Sequence, residues 1–120
     1  MHHTVFTDVV QKYYVAVDNA DVDGLVALFE ADAEYSRPGY ACLSGREAIR
    51  SFYVDDRIIE SGMHNIESIV SDSGVVAVEG CFKGTVRGGA AAEVEFADFF
   101  WPGPHGLIKK RRTYFYTPLI

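Results

Sequence analysis

The sequence predicts an α+β protein, with three N-terminal helices packed on one face of a curved, mainly antiparallel sheet. Three observations carry that prediction. Apolar residues recur every three and four positions through the first part of the chain, which is the period of an amphipathic helix. From His64 onward the texture changes to runs of β-branched and aromatic residues separated by Gly, Pro, Ser and Asp. The helices come first and the strands follow, without the βα alternation of a parallel sheet.

Thr4 to Asp18 is expected as the first helix, since Phe6, Val9, Val10, Tyr13 and Val17 share a face. Asn19-Ala20 interrupts it. Asp21 can cap a second helix, Val22 to Glu30, with Leu25, Leu28 and Phe29 as its stripe and Gly24 as a local cost. After Ala33, Glu34-Tyr35-Ser36-Arg37 reads as a short extended piece that puts Tyr35 and Arg37 on one side, and Pro38-Gly39 ends it in a turn. Ser44-Gly45-Arg46-Glu47 has the form of a capping box. It precedes Ala48, Ile49, Phe52, Tyr53, Ile58 and Ile59, so a third helix is expected to run to about Glu60 and stop at Ser61-Gly62. His64 to Val70, Gly74 to Val86, Ala92 to Trp101 and Leu107 to Tyr116 are then four strands joined by hairpins.

The 120 residues, 48% of them hydrophobic, are one domain's worth of chain with a single core, residues 1–120. No stretch approaches the roughly 18 apolar residues of a membrane span, and Met1-His2-His3-Thr4 lacks the apolar core of a signal peptide. A soluble, cytoplasmic protein is expected, and His2 and His3 are assigned no role. The net charge of −6 argues against nucleic acid or an anionic membrane as partner. Lys109-Lys110-Arg111-Arg112 is a local exception, but on an alternating strand it splits between two faces. Cys42 and Cys81 have no ligand spacing and read as free thiols. No metal-binding spacing, nucleophile elbow or phosphate loop is present, so no metal or cofactor is expected.

Asp98 is the most informative residue. It lies in Val94-Glu95-Phe96-Ala97-Asp98-Phe99-Phe100-Trp101, on one strand face with Val94, Phe96 and Phe100. A carboxyl group in an apolar wall either has a specific partner or serves chemistry. The opposite face carries Phe99 and Trp101, and a sheet covered by helices on one side and apolar on the other is expected to form a homodimer.

Val9-Val10-Gln11-Lys12-Tyr13, Asp21 to Phe29, Ser44 to Tyr53 and Phe96-Ala97-Asp98-Phe99-Phe100 together resemble the ketosteroid isomerase and SnoaL-like polyketide cyclase group of the nuclear transport factor two-like superfamily. The resemblance implies a cone-shaped, cystatin-like fold, a scaffold that hosts isomerases, cyclases, dehydratases, epoxide hydrolases and binding modules. It also implies that Tyr13 is an oxyanion-hole tyrosine, that Tyr53 supports it by hydrogen bonding, and that Asp98 is a carboxylic acid held protonated to donate a hydrogen bond. The chain departs from that pattern where the isomerases carry their general base ahead of a proline, because Arg37 precedes Pro38. Arginine cannot act as a base, so steroid isomerisation by the usual route is not expected. If Arg37 pairs with Asp98, Asp98 is a carboxylate and a base; if Arg37 points at the ligand, it anchors an anionic group and Asp98 donates with Tyr13.

The expected activity is cofactor-independent acid–base chemistry, of isomerase, cyclase or dehydratase type, on an apolar metabolite with a carbonyl or hydroxyl group. Asp98, Tyr13, Arg37, Tyr53 and His64 are the catalytic candidates, with His64 as a proton shuttle near neutrality. Tyr35, Phe96, Phe100 and Phe115 are expected to line the pocket, and Gly80 to leave room in it. Tyr14 is read as packing, Arg57 as a solvated helix residue and His105 as an exposed turn residue. Replacing Asp98 by Asn is expected to abolish turnover and spare the fold. Two alternatives stay open. One is a non-catalytic binding or dimerisation module, favoured if Asp98 is closed off and satisfied by protein. The other is an epoxide hydrolase, whose Asp-Arg-Asp arrangement Arg37 and Asp98 fill only in part.

Overall fold

The computed structural model describes residues 2–117; the side chains of His2 and His3 lie outside that description. The chain forms α1 (His2–Asp18), α2 (Val22–Val26), β1 (Phe29–Ser36), β2 (Leu43–Ser44) and α3 (Arg46–Ser51). A π-helical turn (Phe52–Asp56) follows, then β3 (Ile59–Asp72), β4 (Val75–Val86), β5 (Ala91–Pro102) and β6 (Ile108–Phe115). The strands make one sheet in the order β2-β1-β6-β5-β4-β3, antiparallel throughout except for β1 beside β6. No helix among the described residues is long and apolar enough to cross a membrane.

The apolar stripe of α1 is wider than the sequence pattern suggests. Phe6, Val10, Tyr13, Tyr14 and Val17 are all buried, because Tyr14 stands four residues after Val10 and three before Val17. The helix ends in a Schellman motif. Asp21 N–H donates to the Ala16 carbonyl and Ala20 N–H to Val17, with Ala20 left-handed at φ +57°.

Two helices are shorter than expected. Asp21 does cap α2, accepting from Gly24 N–H at 3.0 Å, and Gly24 is required there, since a Cβ would stand 2.1 Å from the Asp21 carboxylate. The helix stops at Val26 rather than Glu30 because the sheet claims the next residues: Phe29 pairs with Ile108, and Leu28 accepts from Ile108 N–H. The Ser44 capping box does not form. Ser44 is paired with Glu34 in β2, and Gly45, at φ +87°, stands at the N-cap of α3 without a side-chain bond. The third helix breaks down after Asp56, so Ile59 pairs with Val86 and Ser61-Gly62 lie inside β3 instead of ending a helix. The β-branched Ile58-Ile59 suits a strand better than a helix.

Sheet register places the core and the site. Val76, Val78 and Phe82 on β4 and Phe96, Asp98 and Phe100 on β5 face the helices and are buried. Thr113 is paired with Asp98 and Arg111 with Phe100. A register shift beside Trp101 lets Ile108 and Arg111 both turn inward although they differ in parity. The basic run therefore splits. Arg111 is 4% exposed, while Lys109 pairs with Asp32 and Lys110 lies over Trp101. Glu30, also buried, accepts from the backbone N–H groups of His105 and Leu107 and pairs with the otherwise exposed His105 ring at 2.7 Å.

Candidate active site

Between α1, the π-helical turn and the inner face of the sheet lies an open-mouthed cavity of about 50 Å³. Its apolar wall includes Val17, Ile59, Phe82, Val94, Phe96 and Phe115; Tyr35 and Thr113 close the inner end, and Tyr13, Tyr53, His64, Arg37, Arg57 and Arg111 supply the polar groups.

Tyr35, Phe96 and Phe115 line the cavity. Phe100 does not, being fully buried beneath the tyrosines of α1. Gly80 does not line it either. It faces the helices by parity, but the space a side chain would take is filled by the Asn65 carbonyl and the edge of Phe96.

Asp98 is fully buried and absent from the cavity wall. It accepts from the Tyr14 hydroxyl, the Thr113 hydroxyl and Arg111 Nη2, the last at 2.8 Å. Three donors and no acceptor are the surroundings of a carboxylate. Three expectations are corrected here. Asp98 is partnered by Tyr14, not Tyr13; its guanidinium is Arg111, not Arg37; and Tyr14 is a polar partner rather than simple packing.

Arg111 joins Asp98 to the cavity. While Nη2 holds Asp98, Nη1 donates to the Tyr13 hydroxyl at 2.6 Å and to Tyr53 at 3.3 Å. Its plane lies 4.4 Å from the Tyr35 ring centre and 4.6 Å from that of Tyr13. Burial works against its charge, but Asp98 and the surrounding hydroxyls outweigh that and raise its pKa. Tyr13 and Tyr53 are hydrogen-bonded to each other, the contact implied by the resemblance. Burial lifts the Tyr13 hydroxyl well above the ordinary tyrosine value, and Tyr53 to about 12. Both stay protonated at neutral pH. Two hydroxyl protons are then available, one is used between the two oxygens, and the other can be donated to a ligand.

His64, at the opposite wall, is better placed than its sequence suggests. Its Nδ1 lies 2.6 Å from Asp18 Oδ1, and its backbone N–H donates to Oδ2 at 3.0 Å. The carboxylate fixes the ring and assigns the proton to Nδ1, which leaves the Nε2 lone pair for a ligand. Burial lowers the His64 pKa below its ordinary 6.5, and although Asp18 pulls the other way, Arg111 and Arg57 add to the lowering. Asp18 escapes a reading of the sequence. The available signal is its position, since an acid in the last turn of a helix opposes the dipole and calls for a partner.

Arg37 lies over Phe52, Phe115 and Tyr40, and Arg57 over Tyr53 and Phe82. Arg57 is thus a cavity residue, not a solvated one. The Nε of each is buried without a hydrogen-bond partner. Among the described residues no cluster of three His, Cys, Asp or Glu side chains could hold a metal ion, and Cys42 and Cys81 are free.

A family model described as a SnoaL-like domain matches residues 10–110. Solved structures of similar fold include a candidate polyketide cyclase from Xanthomonas campestris, 21% identical, with a TM-score of 0.85 over 98% of this chain and 93% of that one. An NTF2-like protein of unknown function from Burkholderia pseudomallei is 16% identical, with a TM-score of 0.83 over 93% and 91%. An LEH-like epoxide hydrolase of M. tuberculosis is 19% identical, with a TM-score of 0.81 over 94% and 84%. The α+β architecture described above is the NTF2-like fold.

Proposed function

This chain belongs to the SnoaL-like domain family, and from that premise we propose that it is a cofactor-independent acid–base enzyme acting on an apolar metabolite with a carbonyl group, with His64 as the base. One observation carries the reading: a histidine in the cavity wall, oriented through Nδ1 by Asp18 at 2.6 Å. His64 Nε2 takes a proton from the carbon beside the carbonyl, the electron pair moves onto the oxygen, and the free hydroxyl proton of the Tyr13–Tyr53 pair binds the developing enolate. Asp18 stabilises the imidazolium that forms. Return of the proton to another carbon gives isomerisation; attack of the enolate on a second carbonyl, whose oxygen takes the proton from the imidazolium, gives cyclisation; loss of a β-hydroxyl as water, carrying that same proton, gives dehydration.

Asp98 is not the acid or base in this scheme. Sealed from the cavity, it holds Arg111, and Arg111 holds the tyrosine pair. A sealed and satisfied Asp98 would by itself suit a binding module. The open wall at His64, with the uncommitted tyrosine proton opposite, favours catalysis. The epoxide hydrolase reading finds an Asp–Arg pair in Asp98 and Arg111, but no second acid joins Arg111 among the described residues.

Proton abstraction can be followed without knowing the natural substrate, as deuterium uptake from D2O into an uncharged enolisable ketone such as β-tetralone, monitored by NMR. Wild-type protein is expected to accelerate uptake over buffer, and His64→Gln to remove about 10²–10⁴-fold of that rate. Equal rates in the two proteins would refute the assignment.

A further inference from the structure

Charge inside the cavity runs against charge on the chain. The net charge is −6, yet the cavity wall takes Arg37, Arg57, Arg111 and His64 and no carboxylate. Arg111 is matched by Asp98. Arg37 and Arg57 take part in no ion pair among the described residues.

Both guanidinium carbons lie over aromatic rings. Arg37 lies 5.2 Å from the Phe52 ring centre and Arg57 5.4 Å from that of Tyr53, and these two rings meet edge to face at 5.1 Å, so the arginines flank one ring pair. Each Nε is buried and unpaired, as is that of Arg111, so what sets Arg37 and Arg57 apart is the missing carboxylate. Aromatic packing fixes the plane of a guanidinium, and a fixed plane with free N–H groups is a fork for a planar anion. Water can satisfy an N–H group, but only an anion also balances the charge.

We propose that the cavity takes an apolar organic carboxylate, its acid group held by Arg37 and Arg57 and its uncharged reactive end turned toward His64 and the tyrosine pair. The proposal rests on the cavity being the active site and names the class of its substrate. It also accounts for Arg37 before Pro38: the position binds rather than catalyses.

The test is a matched pair of probes, β-naphthoate and β-naphthamide, which share shape and differ in charge, titrated calorimetrically at pH 7.5 and low salt. The naphthoate is expected to bind at least about tenfold more tightly. Arg37→Met and Arg57→Met should each lose most of that preference, and Arg50→Met on exposed α3 should keep it. Added salt should weaken naphthoate binding to the wild type and leave naphthamide alone, which reads the same charge without any variant. Equal affinities, no naphthoate binding at millimolar concentration, or a preference that survives both substitutions would overturn the proposal. His64→Gln separates this from the catalytic reading. It is expected to retain the naphthoate preference while losing proton exchange, so either idea can fail without the other.

Discussion

At the scale of single residues, the buried Asp98–Arg111 pair supports the tyrosines of the cavity, with Arg111 bonded to Asp98 through one nitrogen and to Tyr13 and Tyr53 through the other. Asp98 is recognisable from its apolar surroundings alone, but its partners are not, because Tyr14 comes from a helix 84 residues away and which residues of the adjoining hairpin strand face Asp98 depends on a register shift. Arg111 is hidden in a basic run whose splitting between faces is legible, while the member that turns inward is not; its register opposite Phe100 gives the answer. Asp98→Asn is therefore expected to destabilise the fold by about 3–5 kcal/mol, since it leaves Arg111 as an uncompensated buried charge. Asp98→Asn with Arg111→Gln should cost far less than the sum of the two single changes, read as urea midpoints in a double-mutant cycle. The buried titratable groups also set the response to acid. With the folded pKa of His64 lowered, the unfolded chain binds more protons below about 6.5, so stability is full above that pH and falls as pH drops toward the folded value. Glu30, held down by its bonds from His105 despite burial, adds a second loss below its ordinary 4.5. Urea midpoints at pH 7.5, 5.5 and 4 should fall in two stages, and Glu30→Gln should flatten the second.

At the scale of elements, local signals succeed where nothing opposes them and fail where the sheet competes. Asp21 caps its helix and the four long strands pair in the expected meander, because hairpins satisfy themselves locally. The ends of α2 and α3 are illegible because the parallel pairing of β1 with β6 and the antiparallel pairing of Ile59 with Val86 draw on partners far along the chain. The π-helical turn has no sequence signal, yet it carries Tyr53 and leads to Arg57, both in the cavity wall. The end of α1 supplies a clean test. Ala20 sits at φ +57°, where a Cβ costs about 1–2 kcal/mol and glycine has no such penalty. Ala20→Gly is expected to stabilise by about 0.5–1 kcal/mol after the greater flexibility of the unfolded chain is subtracted. Gly24→Ala should destabilise by about 1 kcal/mol through loss of the Asp21 cap.

At the scale of the molecule, the two faces of the sheet divide the labour. The inner face carries the cavity and its cations. The outer face shows Phe99, 37% exposed and packed with Trp101 and Tyr114, and in register through Ala77 with the exposed Val70 of β3. We propose that this face forms the homodimer expected from the sequence, so light scattering should give twice the chain mass and Phe99→Arg should halve it. Both the fold class and the apolar outer face are readable from strand parity. The cavity is not, because its volume depends on how a helix end, a π-helical turn and five strands meet, and no single segment records that. The enzymatic account turns on whether the assembled cavity holds a neutral imidazole, which 15N NMR of the His64 ring reports directly. At pH 7 the account requires a proton on Nδ1, a bare Nε2, and a titration midpoint below 6.5. An imidazolium at pH 7, or a proton on Nε2 instead, would contradict it.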